Sequence, residues 1–575
     1  MPTGTEIVQE LEGVMNLRAS QGWDKYWRDC MRYALPSDIS YENLLNEGSI
    51  SKVTGSIGKP YAQTLGKDLY DQTSLWGIER LTAGLISLKT PETSQWHKLD
   101  VDDPFGYEAD LSEEAWFDKL TRYLFKVRAN PYSGFWPSHK AAIRSTTAMG
   151  DGFMFMEEKF GNLAAPWTYE FVPLGECFIS VDMKGQILRF FRVRKLTAEQ
   201  IVARWPEAAS PKIKTLASTP DGKNTTHTVV HALIPRGELD RRGKIGVRAA
   251  TWSSFYVDVE AKTIMDESGY WEMPYIHHGW NHSAGRAYSE GPMALALAEI
   301  KSLNLMAKNE LISAQQAVRP PLATYGDNFT RINLNAGATN PGLVNGDGRL
   351  LVQPIMTHTR PDFAQAVLES RRTSVREMLY LNLWQILIER PDMTATEAML
   401  RAQEKGELLG PVGISFNHSL ALMVEREIAI LARKGAFEQG AALEAPASLQ
   451  DFKIMPQFKA PLDRMRAMEE VIGAQRTVQG MMEVAAFDPS IMDDLNVRRY
   501  SDMLRRGNGA PADLFFTEEE KKDKMQGQQQ TQELAQALEL AKAGGDAASA
   551  MGRGVQDMRA AAGGPAPDVQ AALAA

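Results

Sequence analysis

The chain has 575 residues, a hydrophobic fraction of 44%, a charged fraction of 23% and a formal net charge of −9. That length exceeds a single hydrophobic core, so roughly two to four domains are expected, and the two cysteines, Cys30 and Cys177, exclude a disulfide framework and favour a reducing compartment. The acidic balance disfavours tight, static binding of nucleic acid, because Lys and Arg must replace condensed counterions, although a DNA path with repelling walls stays open.

The first ninety residues are predicted to be mainly helical. Thr3 and Glu6 have the spacing of a capping box, which marks the start of a helix. The apolar residues that follow at helical spacing are Ile7, Leu11, Val14 and Leu17. A second helix before Pro36 carries a stripe formed by Trp23, Tyr26, Trp27, Cys30 and Met31. Such a stripe can stack bases, but at helical spacing it is far more typical of a core. A third helix is expected from about Thr73 to Leu88.

The amino terminus, MPTGTEIVQELEG, lacks the basic and apolar regions of a signal peptide. The sequence also has no uninterrupted apolar run of about 18 residues, the length that a transmembrane helix requires. We therefore expect neither secretion nor a membrane span.

From Phe153 onward the apolar residues alternate with a period of two, which predicts β-strands. The predicted strands cover 153–156, 168–172, 178–181, 187–193, 228–234 and 251–257. Asp182 to Gly185 is predicted to be a hairpin turn, and Thr197 to Trp205 a short helix. This block is expected to be α+β with antiparallel strands.

Two clusters suggest metal ligands on local grounds alone. The acidic cluster comprises Asp100, Asp102 and Asp103, and the histidine cluster comprises His277, His278 and His282. Hard cations need several convergent oxygens, and zinc needs a further ligand motif that the sequence does not supply. We therefore predict a solvated turn for the first cluster, a polar turn for the second, and neither a metal nor a cofactor. A metal-dependent hydrolase that uses the three histidines remains the alternative enzyme hypothesis.

No catalytic constellation emerges from the motifs. The sequence contains no G-x-S-x-G, no Walker A and no kinase set. We predict no catalytic residues, and the pattern favours a structural role.

A long helix, a short irregular segment and a second long helix occupy Gly291 to Leu383. Gly291-Pro292 is a good helix start, and the proline-rich segment from Arg319 to Pro321 ends the helix roughly 40 Å later. The apolar stripe along this helix comprises Met293, Leu297, Ile300, Leu303, Ala307, Leu311, Ala314 and Val318. One continuous stripe of this kind is typical of an α-helix.

The segment from Leu322 to Arg360 has turn signals at 340–342 and 345–348 and a short β-capable run at 350–352. Pro361 then opens a return helix to Leu383, whose middle, Glu369 to Ser374, is polar all round. A helix with a polar middle is not typical of an ordinary core, so we expect it to face solvent, a channel or another subunit.

The last third of the chain is predicted to be helical with interruptions. Thr394 and Glu397 form a capping box for a helix that Gly406 and Gly410-Pro411 must kink. It resumes with Phe416, Leu420, Val424, Ile428 and Leu431. Further helices are expected over 462–484 and 488–506, followed by a Gln, Ala and Gly-rich tail that cannot order itself alone.

Four motifs in order resemble the portal, or head-to-tail connector, family of short-tailed phages. The first spans Leu69–Thr73, Leu81–Leu85, Pro91 and Trp96–Leu99, and the second runs from Val172–Glu176 to Leu196–Gln200. The third comprises Pro274–Ile276, Trp280, Gly285, Tyr288–Pro292 and Ile300–Asn304, and the fourth comprises Met393–Glu397 and Leu408–Val412. The resemblance covers about residues 5–470.

This resemblance implies an α+β portal-type subunit that assembles as a homo-oligomeric ring, expected to be a dodecamer. The implied parts are an α+β wing over 1–285, stem helix 1 over 286–318, a small α/β clip over 319–360, stem helix 2 over 361–383, a channel loop over 384–393, a long kinked helix and return to the wing over 394–461, a helical crown over 462–525 and a flexible or barrel-forming tail over 526–575.

The resemblance also implies a function and partners. The ring would form the DNA channel at one capsid vertex for genome packaging, retention and ejection. Its partners would be the terminase large subunit, tail adaptor or head completion proteins, major capsid and scaffolding proteins, and the double-stranded DNA that passes through. The location would be the virion, and the host cytoplasm during assembly. Another ring-forming head–tail adaptor is the remaining alternative.

Within this scheme we expect several residues to line the channel or to contact a neighbouring subunit. They are Lys301, Lys308, Arg371, Arg372, Arg376, Trp384, Ile386 and Arg390. The cations would contact DNA weakly or pair with carboxylates, and the last three residues would belong to the channel loop.

Overall fold

The fold is known from a computed structural model that describes residues 2–36, 68–101, 107, 109–159, 164–282, 285–324, 332–333, 335, 337–355, 361–381, 415–449, 453–459, 461–485, 488, 490–491 and 495–508. Its helices are α1 Gly4–Ser20, α2 Trp23–Ala34, α3 Thr73–Lys89, α4 Leu111–Ala129, α5 Phe135–Met149, α6 Ala198–Arg204, α7 Pro211–Ala217, α8 Glu238–Arg241, α9 Pro292–Val318, α10 Pro361–Met378, α11 over 415–433, α12 Pro461–Ala485 and α13 Val497–Asn508. Its strands are β1 His97–Val101, β2 Asp151–Glu158, β3 Trp167–Val172, β4 Cys177–Val181, β5 Ile187–Thr197, β6 Thr226–Pro235, β7 Trp252–Asp258, β8 Thr263–Tyr270, β9 Tyr275–Gly279, β10 Leu322–Thr324, β11 Val352–Pro354 and β12 Ile454–Phe458.

The described strands form antiparallel sheets. The largest has the order β4-β5-β6-β7-β8, and a three-stranded sheet has the order β3-β2-β9. The hairpin at Asp182–Gly185 is confirmed, because the Asp182 carboxylate accepts hydrogen bonds from the Lys184 and Gln186 amides and Gly185 has a φ of 80°. The predicted α+β class is thereby confirmed.

The capping box at Thr3 is present and begins α1, as predicted. Ile7, Leu11 and Met15 are buried against the five-stranded sheet. Leu17, which follows at the same helical spacing, is 54% exposed. The helix rotates by about 100° per residue, and Met15, four residues after Leu11, takes the next buried position.

The predicted aromatic stripe on α2 lies in the core. Trp27 and Cys30 are fully buried, and Trp27 packs edge-to-face on Tyr288 with ring centroids 4.9 Å apart. These side chains share a cluster with Met293 and Ile300 at the beginning of α9. A base-stacking role for the stripe is therefore excluded by burial.

Strand β2 lies between two hydrophobic cores, because alternate side chains point to opposite faces of a sheet. Phe153 and Phe155 face the cluster that contains α2 and the first half of α9. Met154 and Met156 face a second cluster that contains α4 and α11. This strand therefore links the amino-terminal block to α9 and to the segment after residue 415.

The carboxyl-terminal segment returns to the amino-terminal block. Strand β12 pairs with β1, from His97 opposite Phe458 to Val101 opposite Ile454. The resumed helix is present as α11, and Leu420, Val424 and Leu431 are buried. The first half of the predicted kinked helix lies outside the described residues, as do Asp102 and Asp103. The predicted helix over 462–484 is confirmed, but the next one begins at Val497 rather than at 488.

The tip between α9 and α10 contains the short antiparallel pair β10–β11. The predicted turn at Asn345 is confirmed, since Gly348 donates its amide to the Asn345 carbonyl and has a φ of 78°. The described residues of 319–355 form strands and turns but no helix, so the α/β content predicted for this part is not seen there.

Helix α10 ends at Met378, five residues before the predicted end at Leu383. Tyr380 has a φ of 58°, its amide donates to the Glu377 carbonyl, and the Leu381 amide donates to the Arg376 carbonyl. This is a Schellman motif, which stops a helix and satisfies its last carbonyls. Local sequence does not predict this helix end, because glycine, not tyrosine, is the usual residue at that position.

Candidate functional site

Helices α9 and α10 pack against each other, but α9 is buried along only half of its length. Met293, Ile300 and Leu303 are buried in the core, whereas apolar residues further along α9 are exposed. The exposed ones are Leu305 at 59%, Leu311 at 49%, Ile312 at 41% and Val318 at 80%, and Leu295 on the outer face of the first half is 75% exposed. The stripe predicted from the sequence is therefore present, but the described part of the chain covers only its first half.

Helix α10 is anchored by three buried apolar residues, Leu368, Val375 and Leu379, in the cluster that contains α3 and α9. Its polar middle carries Arg371 and Arg372, which are each about one third exposed. The helix is therefore amphipathic, with its apolar face against the chain and its charged residues at the margin of that contact.

Both middle arginines pair with carboxylates of the same chain. Arg371 pairs with Glu299 of α9. The Arg372 Nε donates to Oδ2 of Asp71 at 2.9 Å, and the Asp71 side chain is only 6% exposed. Burial alone would lower the pKa of Arg372, but the hydrogen bond and charge of Asp71, with a further contribution from Glu369, raise it.

The remaining described candidate cations also have partners within the chain. Arg376 Nη1 donates to Oε1 of Glu369 at 2.8 Å, and this hydrogen bond lowers the pKa of Glu369. Lys301 pairs with Asp29 of α2, and the Lys308 ammonium lies 5.5 Å from the centre of the Tyr70 ring. Trp384, Ile386 and Arg390 lie outside the described residues.

These pairing partners are not predictable from local patterns. Asp71 lies 301 residues from Arg372 along the chain. Asp29 and Glu299 have no local pattern that marks them as partners. The one local feature that singles out a partner is the position of Asp71 just before the predicted helix at Thr73, where a carboxylate can cap the helix.

The histidine cluster does not form a metal site. His277 and His278 lie on β9, so the predicted polar turn is wrong, and neighbouring residues of a strand point to opposite faces. His277 Nε2 lies 2.6 Å from Oδ1 of Asp151, and His278 Nδ1 lies 2.6 Å from the Ser419 hydroxyl. Among the residues that the structure describes, no three His, Cys, Asp or Glu side chains converge to hold a metal ion. The hydrolase hypothesis is not supported.

Asp151 instead fixes the beginning of α9. Its carboxylate is fully buried, and Oδ2 accepts a hydrogen bond of 2.8 Å from the Ser289 amide, two residues before the helix cap at Gly291. Gly150, with a φ of 105°, lies so close to Ser289 that an added Cβ would overlap the Ser289 carbonyl oxygen. The start of the long helix is thus held directly on the three-stranded sheet.

A second buried charge network holds α11. The Arg128 Nε donates to Oε1 of Glu427 at 2.8 Å, both side chains are at most 1% exposed, and Tyr169 donates its hydroxyl to the same carboxylate. Burial opposes the charge of Arg128, yet Glu427 raises the arginine pKa. Because the network is closed to solvent, we assign it a role in holding α11 against α4 and not a role in binding a ligand.

No helix in the described part of the chain has the length and apolar composition that a membrane span requires. The family model described as "Bacteriophage head to tail connecting protein" matches residues 5–515. The probable portal protein of Bordetella phage BPP-1 is 21% identical over 552 residues, which cover 92% of this chain and 92% of that protein. The chain therefore belongs to the bacteriophage head to tail connecting protein family, whose members are structural components of the virion.

Proposed function

We propose that this chain is the subunit of a portal ring at one capsid vertex, through which double-stranded DNA is packaged, retained and later ejected. One observation carries the proposal beyond family membership. The apolar stripe of α9 continues past Leu303, but no described part of the same chain covers it.

Leu311 and Val318 are the large side chains in this uncovered part of the stripe, and they are 49% and 80% exposed. Full burial of one such side chain stabilises a structure by about 1.5–3 kcal/mol, so a contact between copies that covers both of them would be substantial. In a closed ring, this face of each subunit packs against the next subunit, so none of these faces stays exposed.

The parts of the subunit are assigned by family resemblance together with the observed elements. Residues 1–285 would be the wing, α9 and α10 the stem, residues 319–360 the clip, and residues 384–393 the channel loop. The return of β12 to β1 supports placing the end of the 394–461 segment on the wing. Helices α12 and α13 would contribute to the crown.

The charges fit a channel that does not hold DNA tightly. A subunit with a net charge of −9 repels a polyanion, and the five described candidate cations already have partners within the chain. Such cations offer weak, short-lived contacts with phosphates. DNA can then slide past the wall in either direction.

Partner docking follows the same assignment. The clip would bind the terminase large subunit during packaging and tail adaptor proteins afterwards, and the wing would contact major capsid and scaffolding proteins. The ring would be dodecameric. The match over 92% of a probable portal protein favours a portal over a smaller head–tail adaptor.

Electron microscopy of the purified full-length protein tests the proposal. We expect end-on rings with a central hole for the natural sequence. The double variant Leu311→Asp and Val318→Asp should remain unassembled, because it places charges in the contact. Ile245→Asp is the matched control, because Ile245 is 92% exposed in a loop away from α9. This variant should form rings. A compact monomer under every assembly condition would overturn the proposed function.

A further inference from the structure

A cavity of about 390 Å³ lies where α3 meets α10, and its wall contains three arginines. Arg80 comes from α3, and Arg372 and Arg376 come from α10. Asp71 is the one carboxylate on the wall, so the lining has a positive excess in a protein of net charge −9. The volume is at the lower end of the range for small-ligand sites.

Arg80 is the arginine of this cavity that has no carboxylate partner among the described residues. Its guanidinium lies instead over the ring of Trp76, 4.6 Å from the ring centre. Trp76 also lines the cavity and is 56% exposed, which is unusual for an indole. A planar aromatic face and an unpaired guanidinium are thus available side by side.

The two arginines of α10 are held in place by bonds that use only some of their donors. Arg372 uses Nε for Asp71 and Nη1 for Glu369, and Arg376 uses Nη1 for Glu369. Each guanidinium has five N–H donors, so both retain donors for a ligand. Pairing with carboxylates also fixes the side chains before a ligand arrives, which reduces the entropic cost of binding.

We propose that this cavity is a phosphate-binding site, with Arg80, Arg372 and Arg376 on the phosphoryl oxygens and Trp76 beside the attached sugar or base. The three guanidiniums come from two helices, so they can approach an anion from more than one side. A tetrahedral phosphoryl group has several acceptor oxygens to meet them, whereas one arginine fork already satisfies a planar carboxylate. Base–aromatic contacts of the kind Trp76 offers are common in nucleic acid binding.

The phosphoryl group has two sources, a free nucleotide or a nucleic acid strand, and the second source rests on the proposed function. Binding of inorganic phosphate, AMP and a single-stranded dodecanucleotide to the full-length protein is measured by calorimetry at constant ionic strength. Tighter binding of the oligonucleotide than of AMP identifies a strand as the source, and equal or weaker binding identifies a free nucleotide.

The variants are Arg80→Gln and Arg376→Gln. Each is expected to weaken binding of AMP by about tenfold or more, because it removes one charge-assisted hydrogen bond to the phosphoryl group. Arg204→Gln is the matched control, because Arg204 also lies over an indole, Trp205, at 5.2 Å but outside the cavity. Circular dichroism checks that each variant is folded. Absence of binding by all three probes, or equal affinity in the variants and the natural sequence, overturns the proposal.

Rings and unassembled subunits are titrated separately. Binding by both fractions, or by rings alone, supports the site. Binding by unassembled subunits alone means that a neighbouring subunit fills the cavity in the ring, which overturns the assignment to phosphate. Rings that form normally without any phosphate binding contradict only this inference, whereas failure to form rings contradicts the proposed function.

Discussion

The two neighbouring arginines of α10 should contribute unequally to stability, although they have the same chemistry and the same exposure. Arg371 and Arg372 are 37% and 35% exposed. Their partners differ, since the Glu299 side chain is 34% exposed and that of Asp71 is only 6% exposed. The substitutions Arg371→Gln and Arg372→Gln therefore form a matched pair.

The expected cost follows from what each substitution leaves behind. Without Arg372, the buried Asp71 carboxylate retains the Thr73 amide, which donates to it at 2.9 Å, but loses its charged partner. Leaving a buried polar group short of a partner costs about 1–3 kcal/mol. Without Arg371, Glu299 is solvated by water, and an exposed pair of this kind contributes at most about 1 kcal/mol.

Urea unfolding of unassembled subunits at one protein concentration measures both variants, and a double-mutant cycle with Asp71→Asn isolates the coupling. Salt provides a second readout. Between about 0.05 M and 1 M NaCl the effect of Arg371→Gln should fade, because exposed charges are screened, while most of the effect of Arg372→Gln persists. Equal destabilisation by the two variants, or equal salt sensitivity, would refute the reasoning.

Three further outcomes are expected. Gly150→Ala should prevent stable folding of the α9 junction, because the new Cβ meets the Ser289 carbonyl at a positive φ, and limited proteolysis near 285–291 reports it. Glu427→Gln should destabilise the chain by roughly 3–5 kcal/mol in urea unfolding, because Arg128 then stays buried without its counter-charge. Stability should fall steeply as pH drops below about 6.5, because burial lowers the pKa of several histidines that an unfolded chain would protonate. These histidines are His97, His139 (to about 3), His231 and His278.

Each of these outcomes has a control. Gly13→Ala in α1 adds a Cβ into open space and should leave folding intact. Glu425 lies on the same helix as Glu427 and forms a surface pair with Lys453. Glu425→Gln removes this pair and should cost about 1 kcal/mol or less of stability. For the pH dependence, His231→Gln should reduce the slope of unfolding free energy against pH between 6 and 5, and an unchanged slope would contradict the assignment.

Local signals predicted most of the amino-terminal block. The capping box at Thr3 and the alternation from Phe153 report interactions within a few residues, and the corresponding elements are present. Helices α4 and α5 have no counterpart among the predicted elements, although Asp110 and Glu113 form a capping box at the start of α4. The spacing of those two residues is itself a local signal for that helix.

The features that define the candidate site depend on tertiary contacts, and for that reason the sequence did not reveal them. The stripe on α9 continues at the same spacing after Leu303, yet the residues that the structure describes cover only its first part. Trp76 and Arg80 have the spacing of one helix face, but the two arginines of the cavity that come from α10 lie almost 300 residues further along the chain. No periodicity records such a distance.

The half-covered α9 leads to a last prediction about its two ends. Residues 292–307 contact the core of their own subunit, so their amides should be protected from hydrogen exchange in unassembled subunits and in rings alike. The large apolar side chains of residues 308–318 are not covered by the described chain, so the helix there relies mainly on its own hydrogen bonds. A helical end of that length is marginal alone, so it should exchange quickly in unassembled subunits and slowly in rings. Equal protection of 308–318 in both states would mean that no neighbour covers this face, and the ring contact would then have to lie elsewhere on the subunit.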